Sequence, residues 1–222
     1  IFDRYRNDPS KRIYPSHTRI THVLLFAGVM KVTGADTAQA GAAVSWFLGI
    51  TSVLVLARLG RRFIGAGVGL LAALLLAIYM VELEFARRAW GESTASLLCL
   101  LLTYATLALD RDPGSRRWRA AFFAAGTLAV LSKETCIYVY ALCGLWLVSR
   151  QWFVAGQRRL ALLSCLGGLA TVCVAFGVLV LLAGNLEYAL DGWLLVFGNG
   201  LGSNEWGALH ASGPWYQFLR LL

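Results

Sequence analysis

Lys133 and Glu134 stand side by side between two apolar runs, in the segment AVLSKETCIY (129–138). Ionisable side chains in apolar surroundings are costly, and they usually line a water-filled cavity or a ligand path. The ammonium group of Lys133 would suit a phosphate that lies at a membrane surface. Alternatively, the two charges neutralise each other at the tip of a helix. The spacing alone favours neither interpretation.

A second charged cluster lies in VELEFARRAWGES (81–93). Glu84, Arg88 and Glu92 are four residues apart, so on a helix they share one face and can form a ladder of ion pairs. This face could be the acidic wall of a cavity in which an arginine meets an anionic group. A solvated, salt-bridged membrane boundary is the plainer interpretation, and the spacing by itself favours it slightly.

The N-terminal segment FDRYRNDPSKRIYPSHTRITH (2–22) is polar, basic and aromatic. Asp3 and Asp8 are candidate general bases there, since a carboxylate can take a proton from a hydroxyl group. His17 and His22 are candidate polar contacts. Because an aspartate in a loop is usually only solvated, each of these assignments stays a hypothesis.

The segment after Gly184 is rich in Gly, Asn and Trp and is too polar for a membrane span. It leads to Pro214, Trp215 and Tyr216, which precede a last apolar run. Tryptophan and tyrosine prefer the membrane interface, so these residues could be an anchor. Their aromatic faces could equally stack on a sugar ring.

The composition indicates what kind of protein must position these residues. Hydrophobic residues make up 58% of the 222 residues and charged ones only 14%, with a mean hydropathy of +0.64. Soluble domains have about 45–50% apolar and about 25% charged residues. The chain is therefore expected to be an all-α integral membrane protein, a multi-span helical bundle.

Its net charge of +8 then indicates arginine-rich cytoplasmic loops, and no nucleic-acid partner is expected. The five cysteines lie in apolar stretches without CxxC spacing, which favours packing over a metal site or disulfides. No cofactor is evident, and no motif supports a divalent metal.

Three parts are predicted along the chain. Residues 1–37 form an outer loop and an interfacial helix, 38–183 the transmembrane bundle, and 184–222 another outer loop and the start of a further span. The predicted spans are 38–57, 63–81, 93–109, 118–131, 135–148 and 160–183.

Two further features of the sequence concern packing and length. The run GAGVG (65–69) favours tight helix packing. The chain opens on Ile1 and ends in an apolar run, so we expect a fragment of a longer protein.

The distribution of arginine predicts the orientation of the bundle. The segments 58–62, 110–119 and 150–159 hold ten of the 20 Lys and Arg residues, so they are expected in the cytoplasm. Alternation of the spans then places 82–92, 132–134 and both ends of the chain outside. Ten of the twelve carboxylates also fall on this outer side.

The length of the segment before Lys133 favours a hairpin. A helix from Ala120 to Ser132 rises only about 20 Å, whereas the hydrocarbon core is about 30 Å thick. One long helix over 120–148 would instead bury Lys133 and Glu134 near the bilayer centre and move three arginines outside. We therefore expect a helical hairpin with its tip in a recess open to the exterior.

Four segments follow one another along the chain: YPSHTRITHVLLFAGVMKVTG, EFARRAWGESTASLLCLLL, AGTLAVLSKET and SGPWYQFLRLL. Their order resembles the GT-C superfamily of membrane glycosyltransferases. The resemblance is to the dolichyl-phosphate-mannose–protein mannosyltransferase-like branch, which includes the aminoarabinose transferases of lipid A. Pro15–Ser16 stands where the family usually has two prolines.

This resemblance implies transfer of a sugar from a polyprenyl-phosphate donor to a protein, lipid or glycan acceptor. The active site would lie on the extracytoplasmic side of a bacterial or archaeal cell membrane. The implied catalytic residues are Asp3 as base, with Glu92 or Glu84 as second acid. The implied contacts to the donor phosphate are Lys133 and Arg88, helped by Arg12 or His17. Glu134, Trp215 and Tyr216 would frame the substrate.

Two other classes remain open from the residues. A transporter would predict a repeated half and charges within spans; no repeat is apparent, and the carboxylates gather on one aqueous side. In a non-catalytic membrane subunit, the SKE (132–134) and ELEFARR (82–88) segments would carry boundary charges only.

Overall fold

The computed structural model describes residues 20–79, 92–133, 135–154 and 156–183. These ranges are helical almost throughout and contain no strand, which confirms the predicted all-α fold. The helices are α1 (Ile20–Thr33), α2 (Thr37–Phe63), α3 (Ala66–Ile78), α4 (Glu92–Arg111), α5 (Arg116–Ser132), α6 (Cys136–Ser149), continued by a π-helical turn (Arg150–Val154), and α7 (Arg158–Ala183).

Four helical segments of the described ranges are long and apolar enough to cross a membrane. Their outer faces carry large apolar side chains such as Leu54, Leu142 and Leu166, which are mostly exposed. Such a surface is stable only against lipid, because water would have to hydrate it. Helices α1 and α3 are apolar but shorter. The four candidate spans are Ala38–Phe63, Glu92–Arg111, Cys136–Val154 and Arg158–Val178.

Helix α2 continues beyond the predicted end of its span, so the segment 58–62 is helical and not a loop. Arginine is a good helix former, and the positive charges of Arg61 and Arg62 are favourable in the last turn of a helix. The carbonyl oxygen of Gly60 accepts the last backbone hydrogen bonds, from the N–H groups of Ile64 at 2.9 Å and Gly65 at 2.8 Å.

Two glycines allow α2 and α3 to approach backbone to backbone. A Cβ atom on Gly60 would collide with the Cα atom of Gly69. A Cβ atom on Gly69 would lie 2.7 Å from the carbonyl oxygen of Ala57. The GAGVG run thus supplies close helix packing, as its position at the start of an apolar helix predicts.

Helices α4, α5 and α6 share the main buried core. Leu102 and Leu109 of α4 pack against Phe122 of α5 and against Tyr140 and Leu147 of α6. The rings of Phe122 and Tyr140 have centroids 5.2 Å apart. This core holds the three helices side by side and thereby fixes the relative heights of their ends.

The chain reverses its direction at Lys133. Helix α5 ends at Ser132, and Lys133 has an extended backbone (φ −157°, ψ 131°) before α6 begins at Cys136. In one continuous helix, Phe122 and Tyr140 would be about 27 Å apart along the axis, whereas here their rings are in contact. Helices α5 and α6 therefore form a helical hairpin and not a single tilted helix.

The described charges separate to the two ends of the bundle. Glu92 at the start of α4 lies at the same end as Lys133, because α4 and α5 run antiparallel. At the opposite end, Arg111 donates to the carbonyl oxygen of Arg62 at 3.0 Å, and Arg150 pairs with Asp110 at 3.1 Å. This arrangement of the helices places the arginines of the described ranges at that end. They are Arg58, Arg61, Arg62, Arg111, Arg116, Arg117, Arg119, Arg150, Arg158 and Arg159.

Candidate functional site

An ion pair between Lys133 and Glu92 marks the candidate site. The Nζ atom of Lys133 lies 3.0 Å from Oε1 of Glu92 and donates a hydrogen bond to it. The side chains retain 28% and 15% of their exposure, respectively, so neither charge is fully withdrawn from solvent. Glu92 also opens α4, where the positive end of the helix dipole stabilises a carboxylate.

Hydrogen bonds to the backbone of the hairpin turn hold Lys133 at this point. Its backbone N–H donates to the carbonyl oxygen of Ala129 at 3.1 Å, and its own carbonyl oxygen accepts from Cys136 at 3.0 Å. The hydroxyl of Ser132 donates to the same Ala129 carbonyl at 2.7 Å. The last turn of α5 and the first turn of α6 are thus tied to the residue that carries the ammonium group.

The ion pair lies on the wall of an open cavity of about 350 Å³ between α4 and the tip of the hairpin. One wall is a single face of α4, because its residues are three or four positions apart. The other wall is the turn from α5 into α6. The polar and thiol side chains that line the cavity are Glu92, Ser96, Cys99, Lys133, Thr135 and Cys136.

The ammonium group has enough hydrogen-bond donors to bind a ligand as well as Glu92. A lysine ammonium carries three donors, and one of them is directed at the Glu92 carboxylate. The carboxylate fixes the position of the ammonium group in the cavity wall. An anionic oxygen entering the cavity could accept from the other donors, and a phosphate is such a group.

Cys99 and Cys136 were expected to pack in apolar stretches, yet both reach the cavity wall. Their sulfur atoms lie 3.7 Å apart. Ser96 and Cys99 could have been identified from the sequence, since they are four and seven residues after Glu92 on the same face of a helix. Thr135 and Cys136 had no comparable signal, because their position depends on where the hairpin turns.

His22 is buried next to the site but does not line the cavity. Its Nδ1 atom lies 2.9 Å from Oγ1 of Thr94, two residues after Glu92, and its side chain is fully buried. The neighbouring Thr21 donates to the carbonyl oxygen of Leu128 at 3.1 Å. These contacts join the start of α1 to α4 and α5, so His22 holds the helices together at this end.

Of the ten site residues that the family resemblance implies, the structure brings Glu92 and Lys133 together. Lys133 therefore has a carboxylate partner on another helix, 41 positions earlier in the sequence. Among the described residues, no three His, Cys, Asp or Glu side chains come together as a metal site would require. The other eight predicted residues lie outside the described ranges: Asp3, Arg12, His17, Glu84, Arg88, Glu134, Trp215 and Tyr216.

Comparison with known proteins supplies the family. Residues 17–177 match the family described as dolichyl-phosphate-mannose-protein mannosyltransferase. The match covers almost three quarters of the chain and includes both Glu92 and Lys133. No curated protein and no solved structure matches the chain. The chain belongs to the dolichyl-phosphate-mannose-protein mannosyltransferase family and is a membrane glycosyltransferase of the GT-C type.

Proposed function

We propose that this glycosyltransferase takes a sugar from a polyprenyl-phosphate donor and that Lys133 binds the donor phosphate. The observation that carries the proposal is an ammonium group held by a carboxylate on the wall of an open cavity. This cavity lies at the end of the bundle opposite to the arginines of the described ranges. A lipid-linked phosphate can reach such a position from the membrane surface while its chain stays in lipid.

The proposed reaction exchanges one bond at the anomeric carbon of the sugar. An acceptor hydroxyl forms a bond to this carbon as the bond from the carbon to the phosphate oxygen breaks. The electron pair of that bond leaves with the polyprenyl phosphate, and the acceptor proton passes to a base. The Lys133 ammonium stabilises the charge that develops on the leaving phosphate.

The roles of the two paired residues follow from their contacts. Glu92 holds the Lys133 ammonium in place, so it is a positioning residue whose carboxylate lines the site. The Glu92 carboxylate is already engaged by Lys133, so the base is assigned to another residue. Asp3 is the proposed base, Glu84 the alternative second acid, and Arg88 a second cation for the phosphate.

The acceptor is proposed to be a protein, lipid or glycan outside the cytoplasm. The positive-inside rule places the arginine-rich end of the bundle in the cytoplasm. Lys133, at the other end, then faces the exterior of the cell membrane. Arg12 or His17 would add a further phosphate contact, and Glu134, Trp215 and Tyr216 would frame the substrate.

Binding of the product tests whether the site recognises a lipid-linked phosphate. The protein, purified as the full chain in detergent, is heated with polyprenyl phosphate or with polyprenol of the same chain length. We expect polyprenyl phosphate to raise the unfolding temperature of the wild type, because a ligand of the folded state stabilises it. The shift should be absent in Lys133→Ala. Equal shifts with polyprenol would show that the chain alone is recognised and would contradict the proposal.

Cysteine labelling tests the side of the membrane on which the cavity opens. In a version with all five cysteines replaced by alanine, Thr135→Cys should react with a membrane-impermeant maleimide added outside intact cells. Gly114→Cys, in the exposed loop at the opposite end, is the matched control and should react only after the cells are opened. The reverse pattern would place the cavity in the cytoplasm.

A further inference from the structure

A second and larger cavity lies at the arginine-rich end, between the last turns of α2 and the start of α3. Its volume is about 840 Å³. Arg58, Arg61 and Arg62 form its cationic part, and no carboxylate lines it among the described residues. Leu54 and Leu70 form apolar walls on either side. This cavity is separated from Lys133 by the length of the bundle and plays no part in the proposed transfer.

The sequence of α2 places the three guanidinium groups together. Residues 58, 61 and 62 are spaced by three and four positions, so they project from one face of the helix. The close contact between Gly60 and Gly69 brings the start of α3 against this same turn. The groove is therefore bounded by two helices whose backbones touch below it.

Arg62 is held in a fixed position by its surroundings. Its Nη1 atom donates to the hydroxyl of Tyr104 at 2.7 Å. Its guanidinium carbon lies 5.4–5.6 Å from the ring centroids of Phe63, Tyr104 and Trp118, within reach of cation–π attraction. The cationic floor of the groove is thus formed before any ligand binds.

Arg58, Arg61 and Arg62 are all exposed, and Arg58 also interacts with the hydroxyl of Tyr104. Within the described ranges no ion pair joins Arg58 or Arg61 to a carboxylate. Beside them, α3 begins at Ala66 without a side-chain cap, so the positive end of its dipole also faces the groove. The three guanidinium groups and the start of α3 therefore all contribute positive potential to the groove and favour an anion, for which phosphate is well suited.

The apolar walls indicate what the anion is attached to. The side chains of Leu54 and Leu70 retain 65% and 71% of their exposure on the outer surface of the bundle, where lipid chains lie. A free phosphate ion would leave these walls without a partner, whereas a phospholipid would cover them with an acyl chain. A zwitterionic head would bring its own ammonium group toward three arginines, which is unfavourable.

We infer that this groove binds an anionic glycerophospholipid of the surrounding bilayer, with its phosphodiester at Arg58 and Arg61 and an acyl chain along Leu54 and Leu70. Basic pockets between membrane helices are suited to anionic lipid heads. The bound lipid would fill the wedge between α2 and α3 and anchor the arginine-rich end at the membrane surface.

Native mass spectrometry of the full chain, released from bilayers of equal parts phosphatidylglycerol and phosphatidylcholine with identical acyl chains, tests this inference. We expect phosphatidylglycerol to be retained in preference, and Arg58→Gln/Arg61→Gln to lose most of that preference. One arginine near a membrane surface contributes roughly a five-fold effect. Arg116→Gln/Arg117→Gln is the matched control, because it removes the same charge from exposed arginines at this end that do not line the cavity.

The outcomes distinguish a bound phospholipid from general surface charge and from a site for a small anion. Retention of phosphatidylglycerol that is equal in the two double variants would assign it to general surface charge and overturn the inference. Displacement of the lipid by millimolar glycerol phosphate, which lacks acyl chains, would show an anion site and overturn the assignment to a lipid. Arg61→Gln alone should give an intermediate loss, and it provides the test if the double variant unfolds.

Discussion

Replacement of Lys133 by alanine is expected to lower the rate of sugar transfer by about 10²–10³-fold, the usual effect of removing one donor to a developing oxyanion. The reason is that, among the described residues, the Lys133 ammonium is the cation that lines the cavity beside α4. Transfer is measured as the release of polyprenyl phosphate from a polyprenyl-phosphate mannose donor by the full chain in proteoliposomes.

Lys31→Ala is the matched control for Lys133→Ala. Lys31 lies in the last turn of α1, is exposed, and does not line the cavity. It should leave both transfer and membrane insertion unchanged. Lys133→Arg should retain part of the activity, because it keeps a cation in the wall. If Lys133→Ala, inserted and folded as the wild type is, turned over donor at the wild-type rate, Lys133 would have no role in the reaction.

The presence of the α5–α6 hairpin follows from quantities that can be counted in the sequence. The segment from Ala120 to Ser132 is too short to cross a bilayer, and Lys133 and Glu134 would be costly at its centre. The structure has the reversal at Lys133. The end of α2 was harder to predict, because arginines that mark a cytoplasmic loop are also favourable in the last turn of a helix.

The pairing of Lys133 with Glu92 was not predicted, although its basis is visible in the sequence. The sequence suggested Glu134 for Lys133 and Arg88 for Glu92, since local spacing gives only local partners. The short loop Asp112–Ser115 makes α4 and α5 antiparallel neighbours. Glu92 lies 20 residues before this loop and Lys133 lies 18 residues after it, so both are about 27–30 Å from it. Equal heights on adjacent helices bring the two charges together.

The contacts of Arg62 show what could not be predicted from helix lengths and loop positions in the sequence. Its three aromatic neighbours come from the end of α2, the middle of α4 and the start of α5. Which of the many aromatic residues meet there depends on the rotation of each helix about its axis. The cavity at Lys133 has the same dependence, because Cys99 and Cys136 enter it through the packing of α4 against α6.

Exchange of the two charges of the site distinguishes a structural ion pair from a donor site. Glu92→Lys alone and Lys133→Glu alone each place two like charges at these neighbouring positions. Since both side chains are partly exposed, we expect each single variant to lose roughly 1–3 kcal/mol of stability. The double variant Glu92→Lys/Lys133→Glu restores opposite charges, and its unfolding temperature should return most of the way to that of the wild type.

Sugar transfer should not return with stability in the double variant. The ammonium group would then project from α4 instead of from the tip of the hairpin, and a displacement of about 1 Å can already cost 10²-fold in rate. Unfolding temperature and donor turnover are measured on the same preparations of all four proteins. If the pair only held α4 against the hairpin, turnover would recover together with the unfolding temperature, because the sign of each partner would not matter. A stable but inactive double variant would instead show that sugar transfer requires the cation at position 133, at the tip of the hairpin.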